Sequence, residues 1–226
     1  MSRAVIFDVD GTLVDSVDLH AAAWQEALRH FGHEVGLADL RAQIGKGGDQ
    51  LLPVFLPAAE LERRGEEIER YRGDLFRRDY LPRVTVFPAV RDLFLRLRAD
   101  GQRIALASSA SREDLEAYEK IADIADLLDE DAGKDDAARS KPHPDIFEAA
   151  LARLAAVDRD RVLVVGDSPW DALAAGKAGL AAIGMLCGGF DPDSLRQAGC
   201  QALYRDPADL LARFEDSPLH RRPRPA

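Results

Sequence analysis

The stretch Ala4-Val5-Ile6-Phe7-Asp8-Val9-Asp10-Gly11-Thr12-Leu13-Val14 decides how the chain is read. An apolar run ends on two carboxylates two residues apart, and a Gly-Thr pair follows at once. In an extended strand, side chains i and i+2 share a face. Here the strand is ending, so Asp8 and Asp10 can serve one site in different roles. Phosphoryl transfer through an enzyme carboxylate needs one carboxylate to attack, a second to move a proton, and a metal to hold both in register. A turn accounts for Asp10-Gly11, a common turn dipeptide. It leaves Asp8 unexplained, because an unpaired carboxylate at the buried end of a strand needs a cation or several hydrogen bonds.

Outward from that stretch, residues 3–9 read as a buried strand. From 16 to 80 the pattern is helix after helix. Val17, His20, Trp24, Ala27, Leu28 and Phe31 recur at three- and four-residue steps, and Gly32 ends the run. A short helix near 38–44, a Gly-rich loop at 45–48, a helix from Asp49 to before Pro57 and a long amphipathic run over 59–80 follow. Beyond Val86 the grammar changes to strands alternating with helices: strands at 103–107, 161–165, 181–186 and 201–204, and helices near 90–97, 112–120, 146–154, 170–178 and 207–214. Such alternation predicts an α/β fold, a parallel sheet covered on both faces. The helical block then reads as an insertion, entering at the strand edge where open α/β sheets bind ligands. The expected organisation is a core of residues 1–15 plus 84–226, with a helical lid or cap domain over 16–83.

Four places fall at or just after predicted strand ends, so residues distant in sequence can converge. Asp8 and Asp10 are the first. Ser108, with Ser109 and Ser111 after it, offers a hydroxyl and backbone N–H groups for an anion; the alternative is helix capping by Ser109 or Ser111. Lys141, in Ser140-Lys141-Pro142-His143-Pro144-Asp145, stands on a proline-stiffened approach and can point into the site as a fixed charge; the alternative is a solvated loop lysine. Asp167 and Asp171 lie four residues apart after the Val-rich strand, so both can face one cation. Oxygen-only ligands point to Mg²⁺. An N-cap at Asp167 or Ser168 explains one acid but not the pair. His20 either lines the site or is a satisfied core histidine. Lys46 either touches a substrate anion or belongs to a mobile surface loop.

Bulk composition narrows the class. The 226 residues, 46% of them hydrophobic, suffice for one medium domain or a domain with a smaller insertion. A formal net charge of −10 argues against a nucleic-acid partner. A small anionic substrate stays possible, because a local metal and a few cations outweigh the global sign. Cys187 and Cys200 lack zinc-site spacing and are too few for a disulfide framework. No apolar run is long enough for a signal peptide or a membrane span. The expectation is a soluble, cytoplasmic protein, a monomer or small homo-oligomer with no membrane partner, whose tail from Leu219 to Ala226 is frayed.

The four motifs, Asp8-Val-Asp-Gly-Thr-Leu-Val, Ala107-Ser108-Ser109, Ser140-Lys141-Pro142 and Gly166-Asp167-Ser168-Pro-Trp-Asp171, stand in that order. The chain thereby resembles the haloacid dehalogenase-like hydrolase superfamily, in the helical-cap branch that holds phosphoglycolate phosphatases and β-phosphoglucomutases. The resemblance implies a Rossmann-like core, a small phosphorylated metabolite as substrate and a Mg²⁺-dependent mechanism. By position it implies that Asp8 forms an aspartyl-phosphate, and that Asp10 protonates the leaving oxygen and then activates water. Ser108 and the Ser109 N–H would bind phosphate, and Lys141 would offset charge. Asp8, the Asp10 carbonyl and Asp167 would hold Mg²⁺, with Asp171 supporting it directly or through water.

A carboxylate at position 10 argues against halide release. The loop Ile44-Gly45-Lys46-Gly47-Gly48-Asp49 resembles the Ile-Gly-x-Gly loop of phosphoglycolate phosphatases, whereas His20 with Trp24 is similar to β-phosphoglucomutases. Those mutases carry an acid before the last metal aspartate and an arginine in the cap loop. Gly166 and Gly48 fill roughly those places here, and a lysine does not replace that bidentate anchor equivalently. The expected activity is therefore a phosphoglycolate phosphatase-like hydrolysis, with a sugar-phosphate mutase as the alternative and a non-catalytic metabolite-binding protein as a further one.

Overall fold

The computed structural model describes residues 3–154 and 157–220. In chain order the elements are β1 (Arg3–Phe7), β2 (Val14–Asp15), α1 (Val17–His30), α2 (Leu37–Arg41), α3 (Gly48–Phe55), α4 (Ala58–Leu75), β3 (Thr85–Val86), α5 (Val90–Ala99), β4 (Gln102–Ala107), α6 (Arg112–Ala122), β5 (Glu130–Ala132), α7 (Asp145–Arg153), β6 (Val162–Gly166), α8 (Pro169–Lys177), β7 (Ala181–Met185), α9 (Pro192–Ala198), β8 (Cys200–Tyr204) and α10 (Pro207–Ala212).

Six strands form one sheet in the order β5-β4-β1-β6-β7-β8, with every pairing parallel. The chain builds from β1 through β4 to β5 on one side, then returns to lay β6, β7 and β8 on the other. Strand order thus reverses at β1, and the carboxyl ends beside that reversal are where such sheets bind ligands. This is the parallel α/β sheet that the alternating pattern predicts and the Rossmann-like core that the resemblance implies.

The two-residue period of a strand sorts its side chains between two cores. Val5 and Phe7 face one side with Ile104, Leu106 and Val165, covered by Leu93, Phe94 and Leu97 of α5 and Leu115 and Tyr118 of α6. Ala4 and Ile6 face the other with Ala105, Ala107 and Val164, covered by Ile146 and Phe147 of α7 and Ala172, Ala174 and Ala175 of α8. The Phe7 and Phe94 rings lie 4.8 Å apart. Burying each such large side chain contributes about 1.5–3 kcal/mol.

Helices α1 to α4 gather around a third cluster of their own, which includes Val17, Trp24, Leu28, Leu40, Leu51, Leu52 and Ile68. The two crossings between sheet and helices are paired: Val14 lies opposite Val86 and Asp15 opposite Thr85 in an antiparallel ribbon. That ribbon has no sequence signal, because two residues show no periodicity. The run expected as one helix over 59–80 ends at Leu75 and passes into a π-helical turn, Phe76–Tyr80.

Two further elements were not foreseen. β5 is the three-residue Glu130-Asp131-Ala132, too short and too acidic to read as a strand, held by its pairing with β4. α9 is a short helix capped by Asp191, whose side chain accepts from the Asp193 and Ser194 N–H groups. The frayed tail also needs correction at its start. Leu219 is fully buried, and its carbonyl accepts from Gln102 Nε2 at 2.7 Å. The remainder, 221–226, lies outside the described residues. Among those residues no helix is long and apolar enough to cross a membrane.

Candidate active site

Strand ends deliver the site. Asp8 follows β1 directly, its N–H donating to the Val165 carbonyl at 2.8 Å. Ser108 follows β4 and donates its N–H to the Ala132 carbonyl at 3.0 Å, which is how the unforeseen β5 positions it. Asp167 follows β6, and Lys141 stands just ahead of α7. Each of these four side chains is buried. Parallel strands end on one edge, so β1, β4 and β6 deliver Asp8, Ser108 and Asp167 to the same edge, while Lys141, expected near a strand end, arrives from the loop before α7.

Lys141 is the hub. Its ammonium donates to Asp8 Oδ1 and, at 2.7 Å, to Asp171 Oδ1. Thr12 stands between Asp8 and the third carboxylate, its hydroxyl 3.2 Å from Asp8 Oδ2 and 3.2 Å from Asp167 Oδ1. Asp171 also accepts from the Ser168 hydroxyl at 2.6 Å and the Ser168 N–H at 3.1 Å. Ser168 is the N-cap of α8 and Asp171 the acid of its capping box. Capping thus uses Ser168 and Asp171 together, and it leaves Asp167 uncommitted.

Electrostatics at this hub favour a cation. Burial, followed by repulsion from Asp171, pushes the Asp8 carboxyl up to about 7. Burial and the charges of Asp8 and Asp171 push Asp167 well above the usual carboxylate range. Burial opposes the Lys141 charge, but Asp171 and Asp8 outweigh it and hold the ammonium protonated. Asp8, Asp167 and Asp171 present oxygens within 4.8 Å of one another. Asp167 Oδ2 is buried with no hydrogen-bond partner. Three oxygen ligands and one orphaned carboxylate oxygen fit a hard divalent ion. The Asp10 carboxylate is not part of this cluster.

Asp10 instead faces the helices. It accepts from the Ser16 hydroxyl at 2.6 Å and lies 2.7 Å from His20 Nε2. Burial works against its ionisation, yet His20, Ser16 and Tyr118 together hold it well below the usual carboxylate range. Arg72 donates to His20 Nδ1 at 2.5 Å. That nitrogen must therefore accept, which places the ring proton on Nε2, aimed at Asp10. Burial, opposed by Asp10 and reinforced by Arg72, lowers the His20 pKa. The ring stacks on Phe76 at 4.0 Å. His20 is thus hydrogen-bonded at both ring nitrogens and lies on a cavity wall.

A cavity of about 490 Å³ opens between the sheet edge and helices α1 to α4, with Asp8, Asp10, His20, Lys46, Arg72, Ser109 and Lys141 on its wall. Lys46 lies 3.9 Å over the Trp170 ring and donates to Gln43 Oε1 at 2.5 Å, so its loop is anchored. The Ser108 hydroxyl accepts from the Ala110 N–H at 3.0 Å, and the Ser109 hydroxyl reaches the Gly45 carbonyl at 3.5 Å. Ser111 is the N-cap of α6. Sequence reasoning missed Ser16, Arg72, Tyr118 and the bridging role of Thr12. Of these only Thr12 carries a signal, a hydroxyl inside the nucleophile motif; Tyr118 reads as core, and Arg72 as one charge among many.

Known proteins agree with this geometry. The model of the family described as haloacid dehalogenase-like hydrolase matches residues 2–179. The phosphoglycolate phosphatase of Yersinia pseudotuberculosis is 35% identical over 214 residues, 92% of this chain and 91% of that protein. The crystal structure of a hydrolase from Pseudomonas syringae superposes with a TM-score of 0.86 at 28% identity, covering 95% of this chain and 99% of that one. CbbY from Rhodobacter sphaeroides, solved in complex with phosphate, gives a TM-score of 0.72 at 27% identity, covering 93% of this chain and 96% of that one. The chain belongs to the haloacid dehalogenase-like hydrolase family. It is an enzyme, a phosphatase-type hydrolase of that family.

Proposed function

We propose that the protein hydrolyses a small phosphorylated metabolite, in the manner of a phosphoglycolate phosphatase, through an aspartyl-phosphate on Asp8. The single observation that carries this reading is the buried cluster of Asp8, Asp167 and Lys141, with Asp8 and Lys141 lining one cavity and Asp167 Oδ2 left unpartnered. In the reading, an Asp8 carboxylate oxygen attacks phosphorus. Asp10, which Ser16 and His20 hold ionised in the free site, would take up a proton with the substrate, give it to the leaving oxygen and then take one from the attacking water. Ser108 and Ser109 bind the phosphoryl oxygens, and Lys141 neutralises charge that grows between nucleophile and phosphate.

Asp8, the Asp10 carbonyl and Asp167 would hold Mg²⁺, which supplies electrostatic stabilisation and alignment of the phosphoryl group. Asp171 is saturated by Lys141 and Ser168, so its part is to hold Lys141 in place or to bind through water. Residues 16–83 act as a cap over a core of 1–15 plus 84–226. Their separate apolar cluster and the ribbon at both crossings support that division. Lys46 would meet a substrate anion from the cap side.

Hydrolysis is favoured over sugar-phosphate transfer. A side chain at Gly48 would meet the flexible end of Glu69, 2.5 Å from its Cδ, and the glycine itself supplies no cationic anchor there. One at Gly166 would meet Asp171 Cβ at 2.5 Å. The test is phosphate release from a panel of phosphorylated metabolites with Mg²⁺, repeated with chelator and with Asp8→Asn. We expect release that stops in both controls while the fold persists by circular dichroism. Release that continues in Asp8→Asn refutes the nucleophile, and full activity in excess chelator refutes the metal.

A further inference from the structure

Arg72 is a cation in the cavity that feels the charges of Asp10, Asp114 and Glu69 but touches no carboxylate. It projects from α4, donates to His20 Nδ1 at 2.5 Å, and spreads its guanidinium 4.9 Å from the Trp24 ring centre and 5.2 Å from that of Phe76. Its Nε is buried without a hydrogen-bond partner. Among the described residues no carboxylate stands within 4.0 Å of it. Three other cations on the wall are matched: Lys134 pairs with Glu69, Arg77 with Asp74 and Asp114, and Lys141 with Asp8 and Asp171, while Lys46 is held by Gln43 and the Trp170 ring. An arginine does not escape the cost by losing its proton. Aromatic faces offset only part of it. A buried guanidinium kept in this state is a place for an anion that arrives with the ligand.

Its position limits what that anion is. Asp10 Oδ1 lies 2.7 Å from His20 Nε2, and Arg72 lies on the other nitrogen of the same ring. Arg72 therefore stands one imidazole beyond the carboxylate that, in the reaction above, protonates the leaving oxygen. An anion held there is only a few bonds from the ester oxygen. After its bond to His20, the guanidinium keeps enough N–H groups to grip a carboxylate by two parallel bonds.

We propose that Arg72 is a specificity-determining residue that binds a carboxylate on the leaving alcohol, so that the substrate is the phosphate ester of a short hydroxy acid rather than of a neutral sugar. This rests on the phosphatase reading of the same site.

The experiment compares 2-phosphoglycolate with 2-hydroxyethyl phosphate, its carboxylate-free counterpart, in wild type, Arg72→Gln and Arg72→Lys. Glutamine keeps a polar N–H near the place of Arg72 Nε but carries no charge and is two bonds shorter than the arm that reaches His20. The wild type should prefer the carboxylate ester, and Arg72→Gln should lower that kcat/KM preference about 100-fold, mainly through KM. Arg72→Lys should fall between them, since it keeps the charge without the fork. Equal losses on both esters in either variant reduce Arg72 to a positioning residue for His20 and overturn the proposal. So does a wild type that hydrolyses both esters without preference, a measurement that needs no variant to fold. A wild type inert on both esters and on p-nitrophenyl phosphate with Mg²⁺ sinks the phosphatase reading itself.

Discussion

The Lys141 ammonium lies 2.7 Å from Asp171 Oδ1 while it also donates to Asp8, so one cation ties the end of β1 to the first turn of α8. Three buried carboxylates, Asp8, Asp167 and Asp171, cluster around this one ammonium, which bonds Asp8 and Asp171. Three negative charges less one positive leave two, the charge of one divalent ion.

Lys141→Met removes the only positive charge of that group. Breaking a buried pair from one side costs about 3–5 kcal/mol. We expect thermal unfolding to shift down accordingly and phosphate release to vanish. An unchanged melting temperature with retained turnover contradicts the hub.

The raised carboxyl pKa values make metal-free stability depend on pH. Asp8 has an ordinary value of 3.8 and a folded value of about 7, and Asp167 is also raised well above its ordinary value. The folded state binds more protons than the unfolded chain across that interval, so stability falls as pH rises through it. The contribution is complete below the unfolded pKa and is lost as pH passes the folded one. A bound divalent ion reverses the loss. Added Mg²⁺ should therefore raise Tm more at about pH 8 than at about pH 5. An increment independent of pH between those values speaks against these carboxylates as the site.

Thr12→Val keeps the shape of the side chain and removes the hydroxyl shared by Asp8 and Asp167. Groups that orient metal ligands are worth about 10–100-fold in metal affinity. Half-maximal activation should need correspondingly more Mg²⁺, with little change in Tm at saturating metal. An unaltered Mg²⁺ titration rules out the bridging role.

Burial, then the charge of Asp171, pushes the Cys200 thiol up to about 12, and burial and Asp167 raise Cys187 likewise. A raised pKa leaves both as neutral thiols well above neutral pH, and the thiolate is the reactive form. Native protein at about pH 8 should react with iodoacetamide far more slowly than the same protein in denaturant. Mass spectrometry reads the difference, and equal rates in the two conditions contradict it.

Much of the sheet was legible because β1, β4 and β6 are continuous apolar runs with both faces buried. Asp8, Ser108, Lys141 and Asp167 were legible as strand-end or pre-helix residues. β5 was not, since Glu130-Asp131-Ala132 is a strand only through its pairing with β4. Nor was the β2–β3 ribbon, whose two pairs lie some seventy residues apart in sequence. The tail was misread at Leu219, where one buried side chain and one bond from Gln102 decide the outcome.

The amino-acid order alone determined the strand-helix alternation and the chemistry available at each strand end, because both are local: a two- or four-residue period, and an acid, hydroxyl or amine at a fixed offset from it. Tertiary structure decided the partners. That Asp171 belongs to Lys141 and Ser168, that Thr12 spans two carboxylates, and that Arg72 holds His20 against Asp10 depend on distances across elements remote in sequence. Charge and hydrogen bonding act only over a few ångströms, and folding is what sets those separations.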